Sequence, residues 1–430
     1  MRPSGWRPTA AVLRVTVLPA AIALVAVLGH RPDLLAVAAP LALALLPLLL
    51  RRPAGVPELR LEFDEETVGE GAPVAGRLVL SGAAGAETLA AAVATPDWVR
   101  PAGDRRVTAA IPVEPDGTAV LDLDLRAQRW GRSEVGPAVV TLSAAGGLLR
   151  CGPLTVPPRR LAVLPLTEQY RGAELMPRAR GNVGVHASRR LGDGMELTGI
   201  RPFAPGDRMR RINWRISLRT GELHVNATTT ERDADVVLLL DARYDAGRSG
   251  GIDGSASGVD VAVRATAALA AFYLGTGDRV GLVTYAAGTR QLPATAGRAQ
   301  LHRLLQSLLD VSGPRQAGAE PPLPEPVGVD PRALVLVVSP LVGRRVFDRA
   351  AALARTGHSV IAVDTLPDRL GDDAADAWTG PVLRLWRLER ATRITQLRDL
   401  GVPVVPWRGS GSLDAVLVDL ARATRSGRPR

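Results

Sequence analysis

Residues 236–241 read VVLLLD, an apolar run that does not alternate until it ends on a carboxylate. A strand with one face in water alternates polar and apolar side chains. An unbroken run signals a strand covered on both faces, as in a parallel sheet beneath helices. Toward the C-terminus the signal repeats. VDVAVRATAALAAFYL (259–274) has helical character, RVGLVTYA (279–286) reads as a strand, and AQLHRLLQSLLDV (299–311) spaces its leucines as a helix does. After a proline-rich link at 314–326 come a strand at 333–340, a helix at 345–357 and a strand at 359–365. A helix at 390–401, a strand at 402–407 and a closing helix at 412–424 complete the series. Strand–helix alternation this long predicts an α/β fold with a doubly wound sheet over 233–430. Its ligand edge is expected at the carboxyl ends of the strands.

Upstream, the period changes. Between residues 57 and 158, ELRLEF, PVAGRLVLS, AVLDLDL, AVVTLSA and LTV alternate with period two and are separated by Gly, Pro and Asp. That pattern predicts a small all-β domain of immunoglobulin-like kind, a β-sandwich. Trp98 and Trp130 read as core plugs rather than ligand stackers, and nothing there has catalytic spacing.

Further upstream, residues 9–28 and 34–50 are two apolar stretches, each near the ~20 residues that cross a bilayer, joined by the polar turn GHRPD. Residues 1–52 are therefore expected to form a transmembrane helical hairpin rather than a cleaved signal peptide. Arg2 and Arg7 precede it, Arg51 and Arg52 follow it, and Arg31 alone lies in the turn. The positive-inside rule then predicts a cell-membrane protein with both ends and the soluble domains in the cytoplasm.

Composition narrows the functions. The chain has 430 residues, a net charge of +10 and 53 basic residues, every one an arginine, against 43 acidic ones. With abundant Ala, Gly and Pro, this is a compositional bias, and the basic balance argues only weakly for nucleic acid. Aromatic content is 3%, too sparse for base-stacking platforms, so no nucleic-acid partner is expected. A single cysteine, Cys151, excludes a disulfide framework and a cysteine-based zinc site.

Signals for catalysis are thin. The first parallel strand ends at Asp241, with Arg243 and Asp245 following. A hard-cation site at such an edge needs carboxylates and hydroxyls. Arg243 would set its own charge where the cation belongs, although Thr295, in the loop after RVGLVTYA, offers a hydroxyl. Asp241 and Asp245 are thus candidate metal ligands of a degenerate site, and no cofactor, magnesium included, is expected. Without lysine no phosphate-binding loop of the Walker type exists. Residues 409–412 (GSGS) read as a helix N-cap. His186 and Ser188 lack the carboxylate and oxyanion donors of a nucleophilic pair.

The densest chemistry lies at 191–223, LGDGMELTGIRPFAPGDRMRRINWRISLRTGEL. A catalytic loop, a nucleic-acid patch and a docking surface are the three possibilities. Pro205-Gly206-Asp207 is a turn signature, and Asp207 lies one turn from Arg210 and Arg211, which suggests an ion pair. INWRISLRTGEL suits one short amphipathic helix, with Trp214 expected to anchor it in the flank of the sheet. Arg208, Arg210, Arg211, Arg215 and Arg219 form a basic cluster. Either it pairs with Glu196, Asp207, Glu222 and Glu231, or it docks a partner.

The order Gly184, His186, Ser188, Gly192, Gly194, Glu196, Gly199, Arg201, Pro205-Gly206-Asp207, Arg210, Ile212, Trp214, Ser217, Arg219, Leu223, Val225, Glu231 resembles the signature of the domain of unknown function 58 family. The resemblance runs along nearly the whole chain: hairpin, β-domain, a signature segment at 159–232, then a domain like von Willebrand factor A. It implies no enzymatic activity. It implies partnership with a MoxR-type AAA+ ATPase and client proteins, with Gly192, Gly194, Glu196, Arg201, Pro205, Gly206, Asp207, Arg210, Trp214 and Arg219 as candidate binding residues. The expected function is that of a membrane-anchored adaptor. The alternative is a metal-dependent binder or enzyme built on Asp241.

Overall fold

The computed structural model describes residues 5–43, 53, 56–102, 107–167, 191–203, 209, 212–229, 235–286, 288–311, 329–330, 333–367, 379–408, 412 and 418. The chain divides into two compact units, Met1–Pro165 with Gly251–Asp253, and Leu166–Gly250 with Gly254–Arg430.

The first unit opens with β1 (Arg7–Pro8), α1 (Ala10–Leu28) and α2 (Asp33–Leu43). The two helices pack against each other. α1 is long and apolar enough to cross a membrane. Then come β2 (Glu58–Phe63), β3 (Thr67–Gly69), β4 (Pro73–Ser81), β5 (Thr88–Val93), β6 (Val99–Pro101) and β7 (Thr108–Pro112). The unit closes with β8 (Ala119–Ala127), β9 (Gly131–Val135), β10 (Ala138–Ala144), β11 (Leu149–Val156) and β12 (Arg159–Leu164).

These strands form sheets of order β1-β11-β10-β5-β7, β2-β4-β8-β6 and β3-β12-β9. Alternation of buried and exposed positions along β4 and β10 turns one face of each strand inward. Leu61, Leu78 and Leu125 from the four-stranded sheet meet Leu89, Val140 and Leu142 from the five-stranded one in a single core. Val135, Leu161 and Val163 of the third sheet join it. Trp130 is buried, as expected of a plug, whereas Trp98 is only half-buried. The Arg129 guanidinium stacks on both rings, at 5.0 and 5.2 Å.

The sequence boundary at residue 158 needs correction. β12 pairs antiparallel with β9 and parallel with β3, so residues 159–164 belong to this unit and not to the signature segment. The lone cysteine lies inside the same core, and burial pushes its thiol above the ordinary range.

In the second unit β13 (Leu191–Pro202) pairs antiparallel with β14 (His224–Thr229), with the short helix α3 (Trp214–Thr220) between them in sequence. The rest alternates. β15 (Asp235–Asp241), α4 (Gly258–Gly275), β16 (Arg279–Tyr285), β17 (Thr289–Thr295), α5 (Arg298–Leu308) and β18 (Leu334–Ser339) come first. α6 (Arg344–Arg355), β19 (Ser359–Asp364), α7 (Thr379–Asp399) and β20 (Val404–Pro406) follow.

The sheet order is β17-β16-β15-β18-β19-β20, parallel except for β17. The chain moves outward one way from β15 and the other way from β18, so the strand order reverses between them. Val237, Leu239, Val335 and Val337 pack on α6 and α7 through Phe347 and Leu397. The intervening Val236, Leu238 and Leu240 are buried too, with α4 against β15. Both faces are covered, which is why these strands read as unbroken apolar runs. α4 is as apolar and as long as a membrane span, but it is mostly buried and is a core helix.

Two features depart from the sequence expectation. Thr295 ends the edge strand β17 rather than lying in a loop, and α7 starts eleven residues earlier than the helix read at 390–401. The expected closing helix lies largely outside the described residues.

Candidate functional site

The signature residues fall into three groups. Gly192, Gly194, Glu196 and Arg201 lie on β13, whose register against β14 slips twice. Leu191 and Glu196 both face Thr229, so Gly192 and Gly194 sit within a bulge. Pro205, Gly206, Asp207 and Arg210 lie outside the described residues, as does the expected pairing of Asp207 with the arginines after it. Gly184, His186 and Ser188 lie outside them as well. Trp214 and Arg219 lie on α3.

Short-range hydrogen bonds fix α3. The Asn213 side chain accepts the N–H of Ile216 at 3.2 Å and caps the first turn. One turn on, the Ser217 hydroxyl donates to the Asn213 carbonyl at 2.9 Å and accepts the N–H of His224 at 2.9 Å. Those two bonds join the helix to the start of β14. Ile212 and Val225, both buried, form a β-bridge beside them. Gly221, at φ 75°, ends the helix in the left-handed conformation that glycine adopts without a Cβ clash.

With Ser217 and Ile212 turned inward, the opposite face of the helix meets solvent. Trp214 is 61% exposed and Leu218 83%, with Met209 and Leu223 exposed nearby in sequence. This corrects the expectation that Trp214 anchors the helix: Ile212 and Ser217 do so. Positions 214 and 218 are four apart and share one face, as do Arg215 and Arg219. Both arginines are exposed, and neither forms an ion pair with a described residue, the expected partner Glu222 included. An exposed tryptophan and leucine thus lie beside two guanidiniums that pair with no described residue, and tryptophan and arginine are side chains enriched at protein interfaces.

The carboxyl edge of the parallel sheet is chemically different. Asp241, 1% exposed, ends β15 at the reversal of strand order. Its Oδ1 accepts Arg243 Nε at 2.8 Å, and its Oδ2 accepts the Ser339 hydroxyl at 2.9 Å and Arg243 Nη2 at 3.3 Å. The Arg243 side chain is itself buried. Ser339 also accepts the N–H of Leu341 at 2.9 Å, and Leu341 holds the uncommon φ of +49° with its side chain fully buried. Asp245 Oδ1 accepts the N–H of Val259 at 3.0 Å in the first turn of α4. Each carboxylate already has a partner within the protein. The guanidinium of Arg243 stands where a cation would need open oxygen ligands, so this donor set does not fit a magnesium ion. Thr295 lies on the far edge strand and brings no hydroxyl to Asp241.

Sequence reasoning missed a second feature of this edge. A cavity of about 370 Å³ opens at the ends of β19 and β20. Asp364, Arg387, Arg390, Trp407 and Arg408 line it, with Leu366 and Ile394 among its apolar walls. Arg390 Nη2 donates to Asp364, and its Nε and Nη2 donate to the carbonyls of Pro340 and Leu341 at 2.9–3.2 Å. The Ser412 hydroxyl accepts the backbone N–H of Arg408 at 2.6 Å. No spacing pattern predicts this group, because its members come from three elements.

Over 226 residues the chain is 26% identical to uncharacterized proteins of Mycobacterium tuberculosis and Mycobacterium bovis, covering 49% of this chain and 69% of each relative. Among solved structures, Spo0M, a sporulation control protein from Bacillus subtilis, shares 17% identity at a TM-score of 0.16, over 25% of this chain and 49% of that one. The cupredoxin domain of amoB from Nitrosocaldus yellowstonii shares 13% identity at 0.17, over 28% and 95%. Scores this low say nothing of the fold. A narrower stretch than the sequence resemblance suggested, residues 199–377, matches the family model described as protein of unknown function DUF58, and that stretch holds α3, Asp241 and five of the six strands of the larger sheet, β15 to β19.

Proposed function

We propose that this chain is a membrane-anchored adaptor that binds a MoxR-type AAA+ ATPase and its clients through α3. The observation that carries the proposal is the exposed face of α3, where Trp214 and Leu218 stand beside Arg215 and Arg219 within the family-matched stretch. Two large apolar side chains and two cations without an acidic partner among the described residues stand on a helix that Asn213 and Ser217 already fix. A partner that covers them gains both apolar burial and charge pairing. At the sheet edge, the mutual satisfaction of Asp241, Arg243 and Ser339 favours binding over turnover.

The architecture we assign is an α/β unit of von Willebrand factor A-like type and a β unit of immunoglobulin-like type. Strand order supports the first, and the shared core of facing antiparallel sheets supports the second. We assign residues 1–52 to a transmembrane hairpin with the soluble units in the cytoplasm. Pairing of Arg7 and Pro8 with β11, and the bond from the Thr9 N–H to the Leu148 carbonyl at 2.9 Å, hold the start of α1 at the β unit. The arginines flanking the hairpin agree with that side of the membrane.

Photo-crosslinking tests the docking surface. A benzophenone side chain at position 218 is expected to capture the ATPase in membranes, whereas one at the exposed position 120 of the β unit is not. Equal capture from both positions, or none from 218, would refute α3 as the docking surface.

A further inference from the structure

We propose that the cavity at the ends of β19 and β20 is a binding site for a phosphate monoester, held by Arg387 and Arg408. Among the described residues three guanidiniums and one carboxylate line it, a net charge of +2. Arg390 is committed to the fold: it neutralises Asp364 and ties two carbonyls after β18 to α7. Arg387 and Arg408 are not committed. Both are exposed, and neither side chain forms an ion pair or hydrogen bond with a described residue. Among the described residues that line the cavity, Asp364 is the only carboxylate, and Arg390 already holds it.

Two guanidiniums that face one cavity, with no acidic partner among the described residues, repel each other, and an anion between them relieves that repulsion. A phosphate monoester carries a charge of about −1.5 to −2 at neutral pH, which balances that +2. Guanidinium also matches phosphate oxygens in a bidentate fork. At about 370 Å³ the cavity lies within the roughly 300–1,000 Å³ range of small-molecule sites. The apolar walls of Leu366, Ile394 and the buried Trp407 give the body of such a ligand a surface to pack on. The position agrees as well, since open α/β sheets take ligands at the carboxyl ends of their strands. This site is separate from the α3 surface and does not depend on the adaptor reading.

The phosphate could belong to a soluble metabolite or to a lipid headgroup, and one experiment distinguishes them. The full-length chain in detergent is titrated with inorganic phosphate and phenyl phosphate by calorimetry at constant ionic strength. An Arg387→Gln/Arg408→Gln double variant and an Arg298→Gln control are measured beside it, with the fold checked by circular dichroism. Saturable binding is expected for the wild-type chain and the control, with affinity roughly tenfold or more weaker in the double variant. Repeating the titration in nanodiscs with and without phosphatidic acid identifies the source. Competition by the lipid assigns the phosphate to a headgroup, and unchanged binding assigns it to a soluble ligand. No saturable binding of either probe, or equal affinity in the double variant, overturns the proposal.

Discussion

At the scale of the residue, the most informative group is the buried Asp241–Arg243 pair. In the low dielectric of a protein interior, two charges that satisfy each other contribute little net stability, but removing one strands the other. Arg243→Ala is therefore expected to destabilise the chain by about 3–5 kcal/mol in urea unfolding, and Asp241→Asn in the same background to recover part of the loss. Calorimetry with magnesium on the wild-type chain should show no heat of binding, because Arg243 occupies the place of the cation. A second residue-scale effect concerns Tyr273, a fully buried phenol on α4 whose ionisation is pushed upward by burial and by the nearby charge of Asp278. The folded state keeps that proton at pH values where the unfolded chain loses it. Stability is then undiminished below pH ~10, the ordinary phenol range, and falls as pH rises above it. The melting temperature should drop above that point, and by less in Tyr273→Phe.

At the scale of the element, α3 separates what holds a helix in place from what it displays. Ser217→Val removes a buried hydroxyl bonded to both Asn213 and His224, leaving the His224 N–H without that acceptor, and should cost about 1–3 kcal/mol in thermal or urea unfolding. Trp214→Ala and Leu218→Ser, on the exposed face, should change stability by no more than ~0.5 kcal/mol. If Trp214→Ala destabilises as much as Ser217→Val, the tryptophan is structural after all. The same helix shows where the sequence was readable. Its presence was legible in the amphipathic run INWRISLRTGEL, but that run overshoots the ends that Asn213 and Gly221 set, and amphipathicity over so few residues could not say which face turns inward. In the sheet, β15, β16, β18 and β19 were legible because burial on both faces leaves an unbroken apolar run. β17 was not, since TRQLPAT is a half-exposed edge strand interrupted by a proline, composition shared with loops. Asp241 could be read as a feature of the sheet edge from its place after VVLLLD. The cavity at Asp364 could not, because Arg387, Arg390 and Arg408 converge only once α7 has crossed to the ends of β19 and β20.

At the scale of the whole molecule, the proposed topology puts residues 1–52 in the bilayer and the rest of the chain on the cytoplasmic side. A tag fused to the carboxyl end should resist external protease in intact cells and become cleavable once they are permeabilised; cleavage in intact cells would invert the topology and remove access to a cytoplasmic ATPase. The central claim is narrower, that the exposed face of α3 is what the ATPase grips. The most direct measurement is the affinity of purified MoxR-type ATPase for the detergent-solubilised chain, compared with that for a Trp214→Ala/Arg219→Ala variant of unchanged melting temperature. Loss of an aromatic and an arginine from the centre of an interface is worth about 2 kcal/mol or more, so binding should weaken roughly thirtyfold. Equal affinity for the two chains would contradict the account.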